Sequence, residues 1–379
     1  MTGIYIHVPF CEKRCTYCSF YSTTHGKKER DAFAHALIEE LRFRRPKEVV
    51  SSLYFGGGTP SQLDDDELTM LFKALRENCV FVDDVEITFE ANPDDITLEK
   101  ARQLVRLGIN RVSLGIQSFD DRMLRSLNRR HNARQAMEAV EMLKQAGISN
   151  ISIDLIYGLP GQSIDDWQQE VATALEQNIV HLSAYALSYE PGTVLYRRLN
   201  KGELKEREEE LSLEMFAFLT KQAESAGFEH YEISNYARPG FRSRHNTSYW
   251  TGVPYIGLGP GAHSFDGIRT RRHNLPKLTA YNNSAICPAN ENGVFADVPH
   301  ETEILSDDEH YNELIMTRLR TAEGLPLSLI DPQRQAYLLR MSKPHLKAGK
   351  LTLSPQQELR FTAKGIFLSD GIMADLMAV

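Results

Sequence analysis

The feature that most constrains this chain is the stretch Cys11-Glu12-Lys13-Arg14-Cys15-Thr16-Tyr17-Cys18, followed by Ser19-Phe20. Three thiols at C-x3-C-x2-C spacing come just after a short apolar run, Ile4-Tyr5-Ile6-His7-Val8, which reads as a strand ending at Pro9. A loop this tight gathers three thiolates round one point. A structural zinc site is closed by four ligands, and a [4Fe–4S] cubane is usually held by four cysteines. Phe20 stands where a fourth nearby thiol would be placed, so one coordination position is left open. On the residues alone, a zinc site completed by His7 or His25 and a chance group of surface thiols remain alternatives. Intracellular cysteine clusters are more often metal-binding or catalytic than disulfide frameworks.

With Tyr17 just ahead of the last thiol, the spacing resembles the signature of the radical S-adenosylmethionine (SAM) superfamily. That resemblance implies a [4Fe–4S] cluster on Cys11, Cys15 and Cys18 whose free iron binds S-adenosylmethionine and can cleave it reductively.

Composition narrows the setting. The chain has 379 residues, 42% hydrophobic and 25% charged, as expected of a globular protein with room for one large domain and a small one. Five cysteines, an odd number with three of them clustered, argue against a secreted disulfide scaffold. The chain opens without a signal-peptide pattern, and no apolar run reaches the roughly 18–20 residues of a membrane span. A net charge of −8 gives no electrostatic reason to expect nucleic-acid binding. A cytoplasmic location is the expectation.

Past the cysteine loop the pattern alternates. Helical periodicity covers residues 31–44, about 64–78, 97–107, about 132–146 and 163–177; Gly108 and Gly147 are placed as stops, and Ser163 to Asp166 reads as a capping box. Strand-like runs lie between them: Ser52 to Phe55, Val85 to Phe89, Arg111 to Ile116, Ile151 to Ile156 and His181 to Ser188. A longer charged helix is expected over about 203–226. Strand and helix alternating about six times predicts a parallel α/β sheet. The polar residues decide its form: the cysteine loop, the glycine triplet at Gly56, Glu90, Gln117 and the Asp154/Tyr157 region all fall at or just past strand C-termini, the face on which barrels build active sites. The prediction is a partial, TIM-like (β/α) barrel over 1–235. A connecting segment rich in Gly, His and aromatics follows over 236–300, and then a small winged-helix-like domain of helices and a hairpin over 301–379. Low basicity makes that tail a lid or docking module rather than a DNA reader.

Several residues at the strand ends are suited to chemistry. Gly56-Gly57-Gly58-Thr59-Pro60 lets backbone approach a ligand closely, although a plain tight turn would look the same. Glu90, Gln117 and Asp154 sit in apolar settings where a carboxylate or amide needs a ligand or a structural partner. Arg129 offers a guanidinium fork for a carboxylate, or is a solvated helix-end arginine. Cys79, on a helix, and Cys287, in a loop, read as ordinary small residues.

Taken together, Ile4 to Cys11, Gly56 to Pro60, Glu90, Gly115 to Phe119, Asn128-Arg129, Asp154 to Pro160 and Phe361 to Gly365 resemble the oxygen-independent coproporphyrinogen III oxidase/dehydrogenase family over most of the chain. The likeness implies that Gly57, Gly58 and Thr59 serve the methionine amino group of S-adenosylmethionine. It implies that Glu90, Gln117, Arg129 and Asp154 hold the same ligand, with Tyr5 and Tyr17 lining its site. Two departures point away from the dehydrogenase itself. That enzyme carries a fourth cysteine where this chain has Phe20, and an extension ahead of the cysteines, whereas here the motif starts at Cys11. Both features, and His245-Asn246-x-x-Tyr249-Trp250, resemble the haem-chaperone (HemW-type) branch of the family. That branch implies haem binding at His245, for which a loop histidine hydrogen-bonded to structure is the plain alternative, with Tyr249 and Trp250 offering aromatic faces and His263 and His273 as secondary candidates. It further implies transfer to acceptor haemoproteins, some at the membrane surface, a homodimer, and no coproporphyrinogen dehydrogenase activity.

Overall fold

The computed structural model describes residues 1–284 and 297–378; Cys287 lies outside them. Six strands build the parallel heart of the molecule: β1 (Thr2–Val8), β2 (Val50–Gly57), β3 (Phe81–Ala91), β4 (Arg111–Gln117), β5 (Asn150–Tyr157) and β6 (His181–Ala186). They are hydrogen-bonded in sequence order, each parallel to the next. The crossovers carry α1 (Lys27–Phe43), α2 (Asp65–Asn78), α3 (Leu98–Leu107), α4 (Asp121–Ser126), α5 (Ala133–Ala146) and α6 (Ile164–Glu176). Local chemistry sets their ends. Capping boxes pair Asp64 with Glu67 and Asn132 with Gln135; a third, Ser163 with Asp166, is the one read from the sequence, and Gly108 closes α3 in the left-handed region at φ 91°. The inward faces of these helices (Leu68, Leu71, Leu104, Val140, Leu143, Trp167, Val171) join Phe55, Phe89, Val112, Ile153 and Leu182 of the strands in one core.

Of the helix expected over about 203–226 the structure forms α8 (Glu209–Ser225), while residues 203–208 are not helical; a separate short helix, α7 (Val194–Asn200), precedes it and is followed by Gly202 at φ 72°. Downstream, β7 (Glu229–Glu232) and β8 (Asn235–Ala237) run antiparallel beyond β6. After α9 (Arg244–Thr251), β9 (Tyr255–Leu258) pairs parallel along the other edge of β1. An antiparallel run continues outward as β10 (His263–Phe265), β11 (Thr270–Asn274) and, past α10 (Leu278–Ser284), β12 (His300–Ile304). The sheet therefore has twelve strands in the order β12-β11-β10-β9-β1-β2-β3-β4-β5-β6-β8-β7 and is open, a partial barrel. The described strands within residues 236–300 extend the sheet, and Leu258, Leu278, Tyr281 and Val298 enter the main core. These short strands, punctuated by glycine, lack the period-two signal that longer strands give.

The tail packs round a second core of its own. α11 (Asp307–Arg318), a three-stranded sheet of β13 (Leu325–Pro326), β14 (Leu351–Leu353) and β15 (Glu358–Phe361), α12 (Pro332–Lys347), the short α13 (Ala363–Ile366) and α14 (Ser369–Leu376) enclose Tyr311, Ile315, Leu338, Leu359 and Leu376. Among the described residues no helix is long and apolar enough to cross a membrane.

Candidate cluster and ligand site

The cysteine loop leaves β1 and is tied down at both ends. Cys11 N donates to Thr23 O (2.9 Å) and Thr23 N to Pro9 O (2.7 Å), closing its base. At its tip, Thr16 N donates to Leu127 O (3.1 Å) and Asn128 Nδ2 to Arg14 O (2.8 Å), while Arg130 bridges Glu12 to Asp94 and Asp95. The turn after α4 is therefore a clamp on the loop, and Asn128 reaches it from a left-handed backbone (φ 61°) that asparagine tolerates better than most residues.

Cys11, Cys15 and Cys18 are free, partly buried thiols lining one cavity of about 450 Å3 at the strand C-termini. Thr59 Oγ1 donates to Cys11 Sγ (3.3 Å) and Arg129 Nη1 to Cys15 Sγ (3.3 Å). Burial, chiefly, holds the Cys18 thiol up at about 11. Donors aimed at sulfur suit thiolates that ligate metal. Among the described residues no group of three His, Cys, Asp or Glu side chains is set to hold a single metal ion. A cubane meets each thiolate on a different iron, so three thiols sharing a roomy cavity fit a cluster better than they fit one zinc ion.

The structure brings Tyr17, Gly57, Gly58, Thr59, Glu90, Gln117, Arg129 and Asp154 to the wall of that same cavity. The glycines are required for backbone reasons as well as for a ligand. A Cβ on Gly57 (φ 106°) would stand 2.6 Å from the His7 ring, and one on Gly58 would stand 2.8 Å from the carbonyls of Val8 and Phe10. Gly58 N donates to Val8 O (2.8 Å), which locks the glycine turn to the root of the cysteine loop. Glu90 accepts from Tyr54 Oη (2.7 Å), and burial pushes its carboxyl up to about 7. Asp154 is raised by burial and accepts from Ser113 Oγ (3.1 Å). Arg129 is not a solvated arginine: beyond Cys15 it reaches Asn92 Oδ1 (2.6 Å) and the Gly115 carbonyl. Gln117 takes a left-handed backbone (φ 71°) where the β4–β5 register slips, turning the strand end towards the cavity. An acid row facing a guanidinium and a glycine edge can receive the ammonium and carboxylate of an amino acid.

Some participants were not singled out from the sequence. Asn92, Ser113 and Tyr185 also line the cavity. Arg111 is 1% exposed, and its Nε and Nη1 have no hydrogen-bond partner among the described residues. Its positive charge helps hold the buried His181 and His245 neutral and moderates the rise at Glu90 and Asp154. At the first position of β4 it carried no pattern by which to find it.

Two expected positions fall elsewhere. Tyr5 lines a second cavity, of about 570 Å3, beside the first. Its hydroxyl bonds His7 Nδ1 (3.2 Å) and its ring lies 6.0 Å from that of Tyr54. His245 is fully buried, and both ring nitrogens are engaged, Nδ1 with Ser52 Oγ (2.9 Å) and Nε2 with Tyr249 Oη (2.8 Å). Its ring stacks on Tyr54 (5.1 Å between centroids), its backbone N–H donates to Glu86 (3.0 Å), and burial lowers its pKa to about 3. As placed, it offers no lone pair to an iron. Its motif partners Tyr249 and Trp250 do reach the second cavity, together with His263 and His273. Ser19 and Phe20, directly after the third cysteine, belong to the walls of both cavities.

Comparison with known proteins agrees with this geometry. Residues 5–174 match the Radical SAM superfamily. The chain is 34% identical over 382 residues to the haem chaperone HemW of Mycobacterium tuberculosis, covering 99% of this chain and 94% of that one. It is 32% identical to HemW of Lactococcus lactis subsp. lactis, over 97% of this chain and 95% of the relative. It is also 32% identical to the mitochondrial radical S-adenosyl methionine domain-containing protein 1 of Bos taurus, over 99% and 87%. Among solved structures, coproporphyrinogen III oxidase (HemN) of Escherichia coli superposes with a TM-score of 0.83 at 24% identity, covering 100% of this chain and 90% of that one, a likeness of fold.

Proposed function

The chain belongs to the HemW family of the radical SAM superfamily, and from that premise we propose that it is a haem chaperone, binding haem and passing it to acceptor haemoproteins. Cys11, Cys15 and Cys18 would hold a [4Fe–4S] cluster. Gly57, Gly58, Thr59, Glu90, Gln117, Arg129 and Asp154, with Tyr17, would hold S-adenosylmethionine. When bound, such a cluster supplies a low-potential electron and an open iron for an amino-acid ligand. The chain's own part is to cradle the ligand's charged ends: Glu90 and Asp154 face an ammonium, Arg129 a carboxylate, and Thr59 and Arg129 steady the sulfurs. The observation that carries the haem reading is the second cavity, where Tyr249 and Trp250 stand beside the cluster loop. A cytoplasmic protein, a homodimer and acceptors at the membrane surface complete the reading.

The test is anaerobic haem titration of the cluster-reconstituted protein, followed by transfer to an apo-haemoprotein. Saturable binding with a Soret band, and its migration to the acceptor, are expected. The competing reading is an oxygen-independent coproporphyrinogen dehydrogenase. Catalytic formation of protoporphyrinogen from coproporphyrinogen, reductant and S-adenosylmethionine would establish that instead. Phe20, in place of a fourth cysteine, weighs against it.

A further inference from the structure

We propose that the macrocycle lies in the second cavity and that its iron is met by His263 on the β10–β11 hairpin, with His273 beside it, and not by His245. This rests on the haem reading above and assigns it a place and a ligand.

The cavity has the volume and lining for a large, mostly apolar ligand. Its volume, about 570 Å3, lies within the range of cofactor pockets. Tyr249 and Trp250 of α9, Tyr255 of β9 and Phe265 of β10 furnish aromatic walls, and Phe20, itself largely exposed, lines the side nearest the cysteine loop. Such faces suit a planar π-system. Arg271, over the Phe265 ring at 5.0 Å and paired with Glu313, stands at the same cavity as a partner for an acidic side arm. Two groups there await a partner: Trp250 Nε1 and Glu313 Oε2 are enclosed yet have no hydrogen bond among the described residues. A buried indole N–H without an acceptor is a cost that a bound ligand with oxygen or ring nitrogen would remove.

The imidazoles then choose between ligand classes. His263 and His273 face each other across the β10–β11 ladder, their rings stacked 4.8 Å apart at 19°. No hydrogen bond to the His263 ring is made by any described residue, and His273 has only a distant Glu301 carboxylate at 3.9 Å. His263 is exposed at the rim, and partial desolvation with the neighbouring His273 and Arg271 lowers its pKa, which favours the neutral ring. A neutral imidazole with a free lone pair, at the rim of an aromatic slot containing a guanidinium, matches a planar metal chelate bearing carboxylates. A nucleobase or an apolar steroid would use the walls and leave the imidazoles idle. His245, by contrast, holds Tyr249 by its hydroxyl at 2.8 Å and so is a positioning residue for the wall.

The experiment is an anaerobic haemin titration of the full chain with its cluster reconstituted, for the wild type, His263→Ala, His263→Cys, His273→Ala and His245→Asn. Cluster absorbance and far-ultraviolet circular dichroism check that each variant is folded. His263→Ala is expected to weaken haem binding by about tenfold or more and to shift the Soret band, and added imidazole should restore it. His263→Cys should give a thiolate-type Soret band, a gained signature that no loss of fold can imitate. His245→Asn should keep the wild-type band position. Haem bound with an unchanged Soret band in both His263 variants would overturn the assignment and leave the chaperone reading standing, as would a shifted band in folded His245→Asn alone; weaker binding at an unshifted band is what loss of the Tyr249 support gives. A wild type that binds no haem would overturn both.

Discussion

Glu90 is the place where the fold's own stability and its ligand pull in opposite directions. Its carboxyl sits at about 7 because it is buried, whereas a carboxyl in an unfolded chain titrates near 4.3. The folded protein therefore keeps a proton that the unfolded chain releases between those values, and folding stability falls as pH rises through that window. At about 1.4 kcal/mol per pH unit, the penalty is about 1 kcal/mol at pH 5 and grows to roughly 3.5 kcal/mol by pH 8. Glu90→Gln keeps an oxygen for the Tyr54 hydroxyl and removes the charge. In urea unfolding of equally cluster-loaded proteins, the variant should gain about 2.5 kcal/mol on the wild type between pH 5 and pH 8. Glu170, also raised to about 7, titrates in both proteins and drops out of the difference. Binding of S-adenosylmethionine by Glu90→Gln should be weaker, since the ammonium loses its anion. Stability curves that move in parallel for the two proteins would refute the reasoning.

Three further outcomes follow from contacts already described. Gly58→Ala places a methyl 2.8 Å from the Val8 and Phe10 carbonyls, so the cysteine loop must shift; iron and sulfide analysis after reconstitution should show less cluster per chain, with a stability loss of about 1–3 kcal/mol. Arg129→Lys keeps the charge but cannot span Cys15, Asn92 and the Gly115 carbonyl together; isothermal titration should show S-adenosylmethionine binding about tenfold weaker, and unaltered affinity would remove Arg129 from the site. Glu170→Ala leaves the Phe119 N–H, which donates to the carboxylate at 2.5 Å, and the Ser118 hydroxyl without their acceptor; denaturation should register a loss of about 1–3 kcal/mol, while haem titration of the folded variant is unchanged.

The sequence disclosed what is written locally. Strand ends, capping boxes and the cysteine loop depend on neighbours within a few residues, and their spacing made the partial barrel readable. The first cavity was legible for the same reason: once the strands are parallel, everything at their C-termini converges. Arg111 and His245 were not, because what decides them is far away in the chain. Ser52, Glu86 and Tyr54 of the sheet receive His245 from the opposite end of the sequence, and no motif reports that both of its nitrogens are taken. The strands of 255–274 are three to five residues long, too short for periodicity, so the hairpin that carries His263 and His273 was visible only as loose histidines.

A wall shared by two chambers belongs to both of their equilibria. Ser19 and Phe20 line the cluster cavity on one side and the aromatic slot on the other, so any ordering of that dipeptide by one occupant changes the work of admitting the second. Such coupling is reciprocal: the factor by which the loaded cysteine loop tightens the slot equals the factor by which a filled slot tightens the loop. Haem affinity measured with and without cluster, set against cluster retention under a chelator with and without haem, should return the same ratio. Phe20→Ala should bring that ratio towards one, leaving two neighbours that no longer sense each other.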